Sequence, residues 1–235
     1  MNKILKRILI GISTLILVLF ITLAIYSRNP YTALEEMDDA IALLDDSNVT
    51  YYEDRDEIRY SVDNPLKNII FIPGGLVTPD SYKYLAISLA IEGYEVIIAK
   101  APFNLAILNP FIGKEFLSDD LDNIIIGHSL GGVTASSVFS GNAAVDMMVF
   151  LGSYPIKDVS DMDTLFISAE FDLGMDPEAM EDSYQYTSNS TIMNIEDGNH
   201  AQFGWYGPQK GDGTAGIDTV TQQNIVVNYI LGFIA

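Results

Sequence analysis

The sequence predicts an α/β fold: a mostly parallel central sheet with helices on both faces, preceded by a transmembrane helix. Three observations carry that expectation. Short β-branched runs recur along the chain with helical stretches between them, the pattern of a parallel sheet joined by crossovers. One such run, Ile124 to Ile126, leads into Gly127-His128-Ser129-Leu130-Gly131, a G-x-S-x-G in strand–turn–helix context. The first 30 residues hold an uncharged stretch, Ile8 to Tyr26, dominated by Ile and Leu.

That stretch is 19 residues long. As a helix it spans roughly 28 Å, enough to cross a hydrocarbon core. Lys3, Lys6 and Arg7 precede it and Arg28 follows it. The stronger basic cluster at the N-terminus places that end in the cytoplasm and the rest of the chain outside, as a single-pass membrane protein. A cleaved signal peptide is the competing reading. Thr22-Leu23-Ala24 is a poor small-x-small site and the run exceeds a usual signal core, which favours an uncleaved anchor.

The chain divides into a basic tip and anchor (1–30), an acidic helix with opening strands (31–64) and a catalytic domain (65–235). Residues 31–47 read as an acidic amphipathic helix, a stalk or a flank, with Leu34, Met37, Ile41, Leu43 and Leu44 on one face. Val49 to Tyr52 and Glu57 to Val62 alternate as an opening hairpin. Strands are expected near 68–72, 94–98, 123–127, 146–151, 163–168 and 191–195. Helices are expected between them, with a last one over about 218–233.

Charge is lopsided. Four of the 12 basic residues and none of the 32 acidic ones lie in residues 1–30, leaving 8 basic against 32 acidic, a net −24. A surface so acidic argues against nucleic acid as partner and repels anionic substrates. Its simplest role is solubility. There is no cysteine, so the exported part stands on its core without disulfides.

The elbow makes Ser129 the candidate nucleophile. Gly127 and Gly131 are small because side chains there would collide with the neighbouring strand and helix. The serine needs a base. Of the two histidines, His128 adjoins the serine with its side chain leaving in another direction, which suits a packing role. His200 lies in the loop after the strand-like run Thr191 to Ile195 and is the expected base. The group that orients it is expected after the strand Thr164 to Ser168, where Asp172 is the choice and Glu170 and Asp176 are reserves. Oxyanion donors are expected from the backbone N–H of Leu130 and from the loop Pro73-Gly74-Gly75-Leu76, through Gly75 or Leu76. No Gly-Lys-Ser/Thr follows that Gly-Gly pair, which disfavours a phosphate cradle.

These residues resemble the α/β-hydrolase superfamily, in its small dienelactone-hydrolase-like, fold-5 type. The likeness rests on Phe71 to Val77 with Tyr82 and Leu85-Ala86, then Gly93-Tyr94-Glu95-Val96, Gly127 to Gly132, Phe171-Asp172 and Gly198 to Gly204. It spans roughly residues 65 to 235 in the order Ser, Asp, His. The resemblance implies an α/β-hydrolase fold. Dienelactone hydrolases proper use a cysteine nucleophile. This chain has none, so their substrate is not carried over.

The expected activity is that of a serine esterase acting on a small carboxylic ester. An acyltransferase on cell-envelope sugars or lipids would use the same triad. A binding protein on a hydrolase scaffold is the non-enzymatic alternative. No cofactor or metal is expected, since the two histidines are 72 positions apart and offer no ligand cluster. The apolar stretch Phe103 to Phe111 is expected near the acyl pocket, and Phe203, Trp205 and Tyr206 near its wall. No connection is long enough for a large lid, so short, uncharged acyl groups are expected.

Overall fold

The computed structural model describes residues 3–235. Eight strands form one sheet: β1 (Thr50–Glu53), β2 (Glu57–Ser61), β3 (Asn68–Ile72), β4 (Glu95–Ala99), β5 (Asn123–His128), β6 (Met147–Leu151), β7 (Asp163–Ala169) and β8 (Asn189–Ile195). Their spatial order is β1-β2-β4-β3-β5-β6-β7-β8. The opening hairpin forms as expected. β2 runs antiparallel to both β1 and β4, and every other pairing is parallel.

The first crossover steps outward from β3 to β4. The next returns past β3 to β5. Neighbouring strands β3 and β5 therefore send their following loops apart, which opens a crevice at their carboxyl ends. Both strands are buried along their whole length. That is why they read as unbroken apolar runs rather than alternating ones.

Side chains alternate across the sheet and give it two cores. Ile69, Phe71, Ile124 and Ile126 pack with α3 (Lys83–Ile91) and α6 (Thr219–Ile234) through Leu85, Leu89, Val226 and Ile230. Ile70, Ile72, Ile125 and Phe150 face α4 (Leu130–Phe139) and α5 (Pro177–Ser183) through Ala135, Phe139 and Met180.

Three expectations need correction. Helices do not separate every pair of strands. The chain from β4 to β5 carries only 3₁₀ turns at 102–104, 106–108 and 114–116. Pro102, Pro110 and Gly113 (φ +80) interrupt any longer helix there. The β6–β7 connection has no helix either. The helix expected over 31–47 shrinks to α2 (Glu36–Ile41). Tyr31 is instead extended and bridges Val77, while the polar run Asp45-Asp46-Ser47-Asn48 forms turns.

Of stalk and flank, the segment is a flank. Met37 is buried with Tyr84 and Trp205, and Leu34 N–H donates to the Trp205 carbonyl at 3.0 Å. Ahead of it lies α1 (Lys3–Tyr26), whose 22-residue stretch Leu5–Tyr26 is long and apolar enough to cross a membrane. A signal sequence passes the same test.

Candidate active site

Ser129 caps α4 with φ 53° and ψ −127°, a left-handed conformation for a residue that carries a Cβ. Such a position costs about 1–3 kcal/mol and persists only where the surroundings enforce it. Two glycines do the enforcing. A Cβ on Gly131 would sit 2.2 Å from the Ile72 carbonyl oxygen, and one on Gly127 would sit 2.3 Å from the Cα of Gly132. The turn thus holds the start of α4 against the end of β3 and leaves the serine partly exposed. Its N–H donates to the Leu151 carbonyl at 3.0 Å, and its own carbonyl accepts from Ser153 Oγ at 2.6 Å.

His200 and Asp172 come together as expected. His200 Nδ1 lies 2.7 Å from Asp172 Oδ2, with the side chains 3% and 1% exposed. The other carboxylate oxygen of Asp172 accepts from the N–H groups of Gly174 and Met175, at 3.0 and 3.1 Å. Both oxygens are thereby committed. Beneath the pair runs Gly152, at the end of β6. A Cβ there would lie 2.7 Å from Asp172 Oδ2 and 2.9 Å from His200 Nδ1.

The loop bearing His200 is tied down from two sides. Asp212 accepts from the N–H groups of His200 and Ala201, at 3.3 and 2.9 Å. The amide of Gln222, fully buried on α6, exchanges hydrogen bonds with the backbone of Asn199 at 2.8 and 3.0 Å.

His128 is fully buried and does not enter that pair. Its Nδ1 lies 2.8 Å from the Tyr82 hydroxyl, which also accepts from Gly74 N–H at 3.0 Å. By donor count, the tyrosine proton points to His128 Nδ1, so the neutral imidazole carries its hydrogen on Nε2. Nε2 has no hydrogen-bond partner in good geometry among the described residues. The nearby carbonyl of His200 favours the charged form without offsetting the opposing effects.

Burial first, and His200 second, hold the His128 pKa well below its usual 6.5. The two rings are 4.7 Å apart. Two imidazolium charges at that distance would repel by about 3–4 kcal/mol at an effective dielectric of 20. A neutral His128 therefore adds no second charge beside the His200 ring.

This has a consequence for stability. The folded-state pKa of His128 is depressed, so its contribution is fully present above pH 6.5. Below that the unfolded chain takes up a proton that the folded chain refuses. Stability should then fall by up to about 1.4 kcal/mol per pH unit until the folded pKa is reached. His128→Asn should remove that component of the slope. Urea midpoints of both proteins between about pH 7.5 and 5 would read it. Parallel profiles would mean that His128 is protonated in the folded protein.

The oxyanion candidates separate. Leu76 N–H donates to the Asn104 carbonyl at 2.7 Å and is already occupied. The N–H groups of Gly75 and Leu130 have no hydrogen-bond partner among the described residues. A Cβ on Gly75 would meet Leu130 Cδ2 at 2.9 Å and Leu130 Cβ at 3.4 Å, so Gly75 packs against the Leu130 side chain. A cavity of about 330 Å³ opens there, lined by Gly75, Leu105, Ser129, Leu130 and Tyr206 among others. A second cavity, about 360 Å³, lies behind the His200 loop beside Asp212. The candidate nucleophile Ser129 lines the first and not the second.

The sequence matches the family profile described as the alpha/beta hydrolase family over residues 68–224, about two thirds of the chain. The chain belongs to the α/β-hydrolase family. No curated relative matches the sequence. Similar solved structures bear out the fold. A dienelactone hydrolase from Anabaena variabilis has a TM-score of 0.54 at 12% identity, covering 79% of this chain and 99% of its own. The carboxylesterase CesB from Bacillus subtilis has a TM-score of 0.55 at 11% identity, covering 80% and 91%. An esterase from Pyrococcus furiosus has a TM-score of 0.55 at 14% identity, covering 81% and 93%.

In this hydrolase the reserve carboxylates have other partners. Glu170 accepts from Asp197 N–H at 3.0 Å and braces the loop ahead of His200. Asp176 caps α5 through the N–H groups of Glu178 and Ala179. Sequence reasoning missed Gly152, Ser153 and Asp212. Only the first two left a signal, a Gly-Ser pair just past a buried strand. Of the pocket expectations, Leu105 and Tyr206 line the cavity. Phe203 is buried in the core, and Trp205 packs on Tyr84 and Met37. Ile107, Leu108 and Phe111 do not line that cavity and are exposed.

Proposed function

We propose that this hydrolase is a membrane-anchored, extracytoplasmic serine esterase working through an acyl-enzyme. The observation that carries the proposal is the buried Asp172–His200 pair beside the strained Ser129 turn. Ser129 bonds the Leu151 carbonyl, and the next residue, Gly152, floors the pair. The serine turn and the imidazole thus both abut residues 151–152 at the end of β6. Ser129 Oγ has no hydrogen-bond partner among the described residues, and in the proposed reaction it turns toward His200 Nε2.

In the reaction, Ser129 Oγ attacks the acyl carbon as its proton passes to His200 Nε2. The carbonyl electron pair moves onto oxygen, held by the N–H groups of Leu130 and Gly75 at the start of a helix. The tetrahedral adduct collapses, and His200 gives the proton to the departing alkoxide. Water then repeats the sequence on the acyl-enzyme and frees the acid. Asp172 keeps the His200 proton on Nδ1 and stabilises the imidazolium. The solved structures named for esterases and a carboxylesterase share this fold and support the substrate class.

Placement outside the cytoplasm rests on α1 and on Lys3, Lys6 and Arg7 before it. A cavity of about 330 Å³ suits a short acyl group. The test is kcat/KM for p-nitrophenyl esters from acetyl to palmitoyl, using the membrane-extracted full chain. The expected maximum lies at the short end. A maximum at palmitoyl would refute the pocket size. No turnover of any ester would refute the esterase.

A further inference from the structure

We propose that the loop Phe103–Phe111 beds into the bilayer surface beside α1, and that the site takes its ester from that surface, as a short acyl group on an amphiphilic alcohol. This rests on α1 being a retained anchor. Only residues 27–30 separate the end of α1 at Tyr26 from Tyr31. Tyr31 is fastened to the loop that bears Gly75. Its N–H donates to the Leu76 carbonyl at 2.8 Å, and its carbonyl accepts from Thr78 N–H at 2.9 Å. Tyr26 and Tyr31 line the same cavity as Ser129. Five residue steps, fully extended, reach at most about 18 Å. The mouth of the site therefore lies close to where the chain leaves the membrane, and one side of it is the anchor.

The loop lies at the matching depth. The ring of Phe103 meets that of Phe20 edge-on, with centroids 5.6 Å apart. Phe20 precedes Tyr26 by six positions, or about 9 Å along a helix axis. Interfacial apolar groups bury themselves about 5–10 Å into the headgroup and acyl boundary. Beyond Phe103, Ile107, Leu108 and Phe111 are 60%, 43% and 68% exposed. Ile156, 44% exposed, shares a groove with Ile107 and Pro110.

Charge agrees with that placement. Residues 101–113 carry none, in a domain of net −24, and the Lys100 charge that precedes them is already paired with Glu53. Elsewhere on this domain an anionic bilayer would be repelled. Here it meets an uncharged, apolar loop. The small cavity takes the acyl part, and the alcohol part extends toward Tyr26 and the lipid.

The chain has no cysteine, so single ones report cleanly. Ile107→Cys and Phe111→Cys are labelled with an environment-sensitive fluorophore in the full chain, reconstituted into phosphatidylcholine vesicles containing spin-labelled lipid. Controls are Leu66→Cys, at the opposite end of the strands, and Ile192→Cys on the edge strand β8, both sites exposed. Blue-shifted, lipid-quenched emission is expected at 107 and 111 and not at 66 or 192. The same emission at all four, in protein that floats with the vesicles, overturns the bedded loop and spares the anchor. Protein that does not float overturns both.

The double variant Ile107→Asn, Phe111→Asn then tests the substrate. It should lose turnover of a vesicle-borne short-chain ester while keeping turnover of soluble p-nitrophenyl acetate. Unchanged turnover of both esters would overturn surface delivery.

Discussion

Ser129→Ala is expected to abolish ester turnover and labelling by a fluorophosphonate while leaving the thermal midpoint within a few degrees. The loss should be on the order of 10⁴-fold or more, as for removal of a nucleophile whose partners act as a unit. The fold should survive for a specific reason. The cost of φ 53° falls on any residue with a Cβ, so alanine bears it as serine does. The lost hydroxyl has no hydrogen-bond partner among the described residues and sits at a partly exposed turn, so no buried group is orphaned. Steady-state rates with p-nitrophenyl acetate, gel labelling and a melting curve decide the matter together. Labelling of the variant at the parent rate would remove Ser129 from the nucleophile role.

Asp172→Asn should lower kcat by roughly 10⁴-fold with KM nearly unchanged. The asparagine oxygen would be claimed by the N–H groups of Gly174 and Met175, which already hold Asp172 Oδ1. Its amide NH₂ would then face His200 Nδ1 and force that nitrogen to accept. The His200 hydrogen moves to Nε2, which can no longer take the serine proton. Binding is spared because Asp172 does not line the cavity with Ser129. Glu170→Gln and Asp176→Asn should leave kcat within a few-fold, since they act on a neighbouring loop and a helix cap. A larger loss at either would move the orienting acid away from Asp172.

Much of this was legible in the sequence, for physical reasons that differ by element. Buried parallel strands declare themselves as apolar runs; all six expected strands exist, and five of them are buried, β8 being the exposed edge. The turn at Ser129 is legible because only glycine fits at 127 and 131. Asp172 was legible as a position after a strand. What separates it from Glu170 and Asp176 is where the backbone N–H groups point, and no single chain states that. The occupied N–H of Leu76 was hidden for the same reason. Its acceptor, the Asn104 carbonyl, belongs to a loop that the sequence presented as a helix or a pocket wall. The absent crossover helix between β4 and β5 was signalled by Pro102 and Pro110, and the α/β rhythm outweighed them. The shortened α2 reflects a tertiary override: the bonds of Tyr31 to Leu76 and Thr78 are incompatible with helix at that end.

The Tyr31–Val77 bridge also bears on modularity. Single-pass anchors are commonly treated as interchangeable leashes, cut or swapped at will. With α1 as the proposed anchor, the seam between it and the sheet domain is confined to Ser27, Arg28, Asn29 and Pro30. A soluble version that starts beyond Tyr31 would drop both backbone bonds that Tyr31 makes to the Gly75 loop. One that starts beyond Met37 would also uncover Tyr84 and Trp205. On the proposed function, tethering and catalytic geometry share a few residues, and the leash cannot be shortened past Tyr31 without reshaping what it tethers.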